Sequence, residues 1–333
     1  MQTNLTRFIL SSPKRLALPL GIYPGLQLTG KTVAKVAHDF LIQANASFAL
    51  AERYHSPFLQ TAMDISVEAE TFGAQIDFDA EVPVVSGRLI TRREDVSMLF
   101  QPKVGHKRTI VPLSVIPELK DRIGFDNRFI LGSMSGPFTL AGLLFGLDEL
   151  IALTDSDPAF ALDLLKLATN YLVRYAEAQR GVGADGIIMA ECSAGMLSPQ
   201  KCAKFSTPFV RQIIESLQTD TYSFIYHNCM ATLDHLDDIL RDGAAIHHFG
   251  SRMEFPAGLQ RVDGETVLAG NLDAAEILTK TNPDQVYEQT LNLLHATAGY
   301  KNFLVSSNCD LSLNTPIPNL DAFHKALTDF NGV

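Results

Sequence analysis

Apolar residues along this 333-residue chain follow two periods in turn. Short stretches alternate or are wholly apolar, and longer ones repeat an apolar side chain every three or four positions. The short stretches, at residues 15–22, 56–63, 128–135, 187–191, 222–229, 243–249, 266–270 and 302–307, read as eight β-strands. The longer ones read as helices whose ends carry chemical signals. Val33, Val36, Phe40, Ala44 and Phe48 share a helical face over 32–50, and Asp157 with Pro158 opens a helix that runs to Gly181. Ser198 with Pro199 and Asn282 with Pro283 open two more, and Leu233, Leu236 and Leu240 mark another. Strands nearly all followed by helices are the pattern of an α/β fold, a parallel (β/α)8 TIM barrel made by one domain over 1–333. Residues 76–125, broken by Pro83, Pro102, Pro112 and Pro117, are expected as an insertion or crossover between strands 2 and 3.

Composition narrows the class. A hydrophobic content of 46% and a mean hydropathy of +0.09 supply a core of that size and exclude fibre or disorder. A net charge of -10, a pI near 5.3 and the lack of a Lys/Arg run argue against nucleic acid or an anionic membrane as partner. Four cysteines (192, 202, 229 and 309), with no charged-then-apolar start, point to a reducing cytoplasm where thiols are free for metal. The uncharged run 129–147 is long enough to span a bilayer, but its Gly, Ser and Pro residues split it into a strand and a following loop or helix.

Two nucleotide motifs compete for attention. Gly25-Leu26-Gln27-Leu28-Thr29-Gly30-Lys31-Thr32 satisfies GxxxxGKT between a strand and a helix, which keeps a phosphate-loop nucleotide hydrolase open as a rival. Against it, no later strand ends cleanly in an apolar run plus Asp to hold magnesium. Gly181-Val182-Gly183-Ala184-Asp185-Gly186 matches GxGxxG but follows a helix and opens a strand, the reverse of the dinucleotide-binding context.

The stronger chemistry lies in Tyr226-His227-Asn228-Cys229 and the distant Cys309. Alternation along 222–229 puts Tyr222, Phe224 and Tyr226 on one face and Ser223, Ile225, His227 and Cys229 on the other. Imidazole and thiolate suit zinc, and three protein ligands leave the open place usual in catalytic sites. All three would stand at the C-terminal ends of strands 5 and 8, the face where such barrels keep their active sites. Asp64, Glu68 and Glu70 follow strand 2, either as site carboxylates or as a solvated acidic first turn. His247 and His248 face opposite ways on one strand, so at most one enters the barrel, and both are read as packing or surface residues.

The set Met63-Asp64-Ile65-Ser66-Val67-Glu68-Ala69-Glu70, Ser135-Gly136-Pro137-Phe138-Thr139-Leu140-Ala141, His227-Asn228-Cys229, Gly270-Asn271-Leu272 and Asn308-Cys309 resembles the uroporphyrinogen decarboxylase superfamily over nearly the whole chain. Within it, the chain is similar to the zinc-dependent methylcobamide:coenzyme M methyltransferase branch, which binds zinc through His-x-Cys and a distant Cys. The resemblance implies zinc at His227, Cys229 and Cys309, and a methyl-corrinoid (methylcobamide) donor. It also implies a small thiol acceptor such as coenzyme M, with Asp64 or Glu191 as fourth ligand or orienting group. The corrinoid is expected on a partner protein, because the HxxG at His247 to Gly250 has Ala245 where corrinoid modules carry Asp. The Arg-rich segment of true decarboxylases has no counterpart at 15–25, although decarboxylation stays an alternative. A barrel that only binds a corrinoid protein is another. Where the methyltransferase branch has a Gly-Cys-Gly turn before a Thr-Pro, this chain has Asn308-Cys309-Asp310 and keeps Thr315-Pro316, a departure that the resemblance implies bears on the acceptor pocket more than on the metal.

Overall fold

The computed structural model describes residues 4–79, 82–99 and 101–332, so residues 80, 81 and 100 of the expected insertion lie outside the described residues. Strands β1 (Phe58–Gln60), β4 (Phe129–Ser135), β5 (Gly186–Ala190), β6 (Ser223–Asn228), β7 (Ile246–Phe249), β8 (Val267–Leu272) and β9 (Phe303–Ser307) form one parallel sheet in that order. Strands β2 (Gln75–Asp77) and β3 (Val84–Ser86) pair antiparallel in a separate hairpin. The parallel sheet curls as a barrel, with helices packed on its outside. The family-type (β/α)8 architecture expected from the pattern is the one observed, with an insertion between the second and third barrel strands.

The first barrel strand is shorter than its apolar run suggests. Only Ala17 bridges to Val305, with Leu18 N–H donating to the Val305 carbonyl at 2.9 Å. Pro19 lacks the next donor, and Gly21 turns the chain at φ +97°. A side chain makes the closure to β1 instead. The Gln60 amide donates to the Pro19 carbonyl at 2.7 Å, and its oxygen accepts from Gly21 N–H at 3.1 Å.

Inside, an apolar floor of Leu18, Phe58, Leu131, Ile188, Ile225 and Leu304 is plugged from below by Leu5 and Ile9 of the N-terminal helix Leu5–Ser11. Tyr222, Phe224 and Tyr226 point outward into the layer between sheet and helices, as alternation requires. Several caps fall where the sequence puts them: Asp157 accepts from Phe160 N–H at 3.1 Å, and Asn282 from Gln285 N–H at 3.0 Å. The helix expected over 32–50 starts later, at Phe40–Arg53, because Asp39 caps it through Leu41 and Ile42 N–H. Residues 110–123 form a regular crossover helix despite Pro112 and Pro117. The run 129–147 becomes β4 and a helix Pro137–Phe145, bent 104° from the next helix, Leu147–Ser156. Among the described residues, no single helix is long and apolar enough to cross a membrane.

The GxxxxGKT segment is wound up rather than open. Amides of Gly25, Leu26, Gln27, Gly30 and Lys31 already donate to carbonyls of residues 22–26, and a Cβ on Gly25 would lie 2.2 Å from the Ala46 carbonyl oxygen. No row of free N–H groups remains to cradle a phosphate.

The acidic turn after β1 is not a solvated face. Helix Ser66–Phe72 docks Glu68 fully inside, where one carboxylate oxygen accepts from Ser135 N–H at 2.9 Å and the other has no partner. Burial pushes its pKa from the ordinary 4.5 up to about 8. The folded chain thus keeps a proton that the unfolded chain loses above pH 4.5. Glu68 therefore lowers stability progressively between pH 4.5 and about 8, and no further above that. Glu68→Gln keeps an acceptor for Ser135 and removes the titration. In urea denaturation it should gain on the order of a few kcal/mol at pH 8.5 and little at pH 4.5; an equal gain at both values would contradict the buried neutral acid.

Candidate metal centre

Four candidate donors come together at the C-terminal rim. His227 is the penultimate residue of β6, and Asn228, the last, shapes the turn after it: its side-chain oxygen accepts from Met230 and Ala231 N–H at 3.2 and 3.0 Å, and its amide donates to Tyr226 Oη at 2.9 Å. This Asx turn lifts Cys229 over the barrel mouth. The end of the neighbouring strand β5 brings Cys192. A Cβ on Gly195 would lie 2.4 Å from Asn228 Oδ1, so a glycine lets the 192–196 turn pack against the His-Asn-Cys turn. The ligand atoms of Cys192, His227 and Cys229 all lie within 4.8 Å of one another. Cys309, just past β9, is near enough to act on the thiols of both Cys192 and Cys229. Donation from Cys192 and then Cys309 holds the Cys229 thiol well below its ordinary range, while Cys192 is pushed up in return.

The sequence pointed to His227, Cys229 and Cys309; the geometry adds Cys192, which alternation alone does not single out. Its signal was its position, two residues past the end of a barrel strand. Cys202 is buried on a helix outside the barrel and packs as a small hydrophobe.

Behind His227 stands a partner that the sequence reading set aside. His248 does enter the barrel: its Nδ1 lies 2.8 Å from His227 Nδ1, and its Nε2 lies 2.8 Å from Ser306 Oγ. Burial, followed by the nearness of His227, holds His248 well below the usual imidazole pKa. His247 faces outward and meets the buried Asp242 at 2.9 Å. The remaining ring nitrogen of His227, Nε2, is buried and has no hydrogen-bond partner. Thiols plus one imidazole are the donor set zinc prefers, and an unpartnered buried nitrogen is the atom such an ion would satisfy, so these residues fit zinc.

The two carboxylates expected beside the metal are committed elsewhere. Glu191, directly before Cys192, turns to the N-terminus of helix Pro137–Phe145 and accepts from Phe138 and Thr139 N–H at 2.8 and 2.9 Å and from Ser206 Oγ at 2.8 Å. A Cβ at Gly136 would lie 2.4 Å from Glu191 Oε2, which accounts for the glycine of the Ser-Gly-Pro-Phe-Thr motif. Glu191 thus positions the chain at Cys192, with both oxygens already engaged. Asp64 pairs with Arg108, whose Nε also meets Glu70 at 2.7 Å and whose Nη2 donates to Ser66 at 2.8 Å. Asn308 ties the Cys309 turn down by accepting from Ala274 N–H at 2.8 Å and donating to Asp273 at 3.1 Å. Asp310 sits against Gly21 with Oδ1 unpartnered, and burial, then Cys309 and Asp64, push its pKa well above the ordinary value.

Comparison with known proteins agrees with this architecture. A methylated-thiol–coenzyme M methyltransferase from Methanosarcina mazei is 29% identical over 269 residues, covering 79% of this chain and 70% of that protein. A uroporphyrinogen decarboxylase from Thermodesulfovibrio yellowstonii is 24% identical over 241 residues, 67% of this chain and 68% of its own. Among solved structures, a methyltransferase from Methanosarcina mazei has the same fold, with a TM-score of 0.87 at 20% identity over 99% of this chain and 98% of that one. A B12-independent methionine synthase from a Shewanella species, in complex with selenomethionine, is more distant, with a TM-score of 0.57 at 11% identity over 95% and 97%. Residues 25–330 match the family described as uroporphyrinogen decarboxylase (URO-D), and the chain belongs to that family.

Proposed function

We propose that this chain is a methyltransferase that moves a methyl group from a methyl-corrinoid, carried by a partner protein, to a small thiol held at zinc. The observation that carries the reading is the convergence of Cys192, His227 and Cys229, with Cys309 against them, at the active face of the barrel. The likeness to a methylated-thiol–coenzyme M methyltransferase supports the reaction class. His227 would give Nε2, and Cys192 and Cys229 their sulfurs, so that three protein donors leave a place for the incoming thiol. When bound, zinc would supply the charge that keeps an incoming thiol deprotonated yet electron-rich at neutral pH. The acceptor sulfur then bonds to the methyl carbon as the cobalt–carbon bond breaks, and that bond's electron pair stays on cobalt. This displacement needs alignment and little acid–base help, which is consistent with Glu191 and Asp64 being occupied by a helix terminus and by Arg108. The partner is inferred because His247, the only histidine in a corrinoid-type spacing, is held by Asp242 behind the barrel wall.

Decarboxylation of a polycarboxylate finds less support. Arg15, the guanidinium of the first strand segment, faces the opposite end of the barrel and donates to the Tyr300, Phe303 and Thr297 carbonyls at 2.6, 2.7 and 2.9 Å.

The purified protein should carry about one zinc per chain, with sulfur scatterers at about 2.3 Å and nitrogen at about 2.0 to 2.1 Å in X-ray absorption. Cys229→Ser and Cys192→Ser should each lose most of the metal, whereas Cys202→Ser should keep it. Full metal in both site variants would remove this site from consideration. The zinc form should methylate a thiol from methylcobalamin, and a barrel that merely binds corrinoid protein would show no turnover.

Thiol binding should release a proton. In calorimetry its apparent enthalpy should follow the ionisation enthalpy of the buffer, with an alcohol analogue binding far more weakly and the metal-free protein hardly at all. Equal thiol binding without zinc and without proton release would defeat the mechanism even where zinc is present.

A further inference from the structure

His248, Ser306 and the Leu18 carbonyl form a chain of contacts that ends on His227, and the hydrogen positions along it can be deduced. Ser306 is fully buried, and its Oγ bonds to the Leu18 carbonyl. A carbonyl only accepts, so the hydroxyl proton points to Leu18. Ser306 Oγ must then accept from His248, which places the His248 proton on Nε2, 2.8 Å away. The two ring nitrogens of His248 meet a hydroxyl and another imidazole, and no carboxylate is there to favour a charged ring. A neutral His248 protonated on Nε2 has a lone pair on Nδ1. His227 Nδ1 lies 2.8 Å from that lone pair, so His227 carries its own proton on Nδ1. Its Nε2, which has no hydrogen-bond partner among the described residues, is left as a bare lone pair.

We propose that Ser306 and His248 are positioning residues that fix the tautomer and orientation of His227, so that Nε2 is ready to bind the metal without losing a proton. The register allows it. His248 pairs with His227 on one side and with Ala269 on the other, and the small Ala269 lets the imidazole reach across β8 to Ser306 on β9. The relay ends on the short first strand, since Leu18 N–H is itself held by Val305. It is also neutral throughout. A carboxylate behind His227 would orient the ring equally well but would add negative charge next to three cysteines, whereas a hydroxyl and an imidazole orient it without charge.

The consequence for metal binding rests on the zinc reading above; the tautomers themselves do not. In metal-free protein labelled with ¹⁵N-histidine, long-range proton–nitrogen NMR correlations should show His227 protonated on Nδ1 and His248 on Nε2. With ¹¹³Cd in place of zinc, scalar coupling should appear at His227 Nε2. Protonation of His227 on Nε2 in the metal-free protein, or cadmium coupling at its Nδ1, overturns the relay. Ser306→Ala should weaken zinc affinity about 10–100-fold in chelator competition, and Ser306→Thr, which keeps the hydroxyl, should stay near wild type. Unchanged affinity and tautomers in Ser306→Ala also overturn it. If that variant fails to fold, the wild-type spectra decide alone. The expected tautomers in a protein without methyl transfer would support the relay and count against the methyltransferase reading, whereas reversed tautomers in an active zinc enzyme would sink the relay only.

Discussion

Every polar atom inside this barrel must find its partner within the barrel, because the apolar floor and the N-terminal plug close it from below. An unmet buried donor or acceptor costs about 1–3 kcal/mol, so the polar layer above the floor is a set of mutual obligations. Thr61 and Ser133 share a hydrogen bond at 2.8 Å, and Ser133 passes its own proton to the Ala62 carbonyl. His227, His248 and Ser306 discharge theirs in sequence onto Leu18. Among the described residues a few atoms stay unmet, Glu68 Oε2 and Asp310 Oδ1 with them, and His227 Nε2 is the one that stands beside the sulfurs of Cys192 and Cys229. The same requirement accounts for Gln60, whose side chain replaces the ladder bonds that Pro19 cannot make.

The pattern of the sequence carried most of the architecture. Short apolar runs found the barrel strands because a parallel sheet covered by helices needs apolar residues on both faces, and Asp-Pro and Asn-Pro pairs marked helix starts because capping is local chemistry. Closure of the first strand was not legible, since it depends on the Gln60 side chain, far along the chain from Pro19. The crossover helix 110–123 was hidden by Pro112 and Pro117, which count against a helix locally but are outweighed by burial of Leu113, Val115, Ile116 and Leu119. In the site, His227 and Cys229 were visible from alternation. Cys192 and His248 were not, because their contacts cross from strand to strand and follow from register. Glu191 and Asp64 were placed at the right end of the barrel, but sequence could not show that a helix N-terminus and Arg108 occupy them.

The rival readings separate on which amides and guanidiniums are already engaged. A phosphate loop needs a row of free backbone N–H groups, and residues 25–31 spend theirs on a turn of helix. A receptor for several carboxylates needs free arginines at the rim. Arg15 instead closes the carbonyl end of helix Pro283–Ala296 at the far side, and Arg108 sits 4% exposed between Asp64 and Glu70. Methyl transfer asks for neither, only a nucleophile and an approach.

The rim is uneven in charge, and that bears on how the proposed thiol would lie. Towards the first strand, Arg108 is held between Asp64 and Glu70, and burial pushes the pKa of Asp310 well above the ordinary value, which favours its uncharged form. On the other flank, the exposed Arg252 is near enough to Cys229 to favour its thiolate. A thiol whose tail is anionic would be drawn outward towards Arg252. Asn308 and Asp310, on either side of Cys309, divide their effects. Asn308 fixes the loop through Ala274 and Asp273, and Asp310 packs against Gly21.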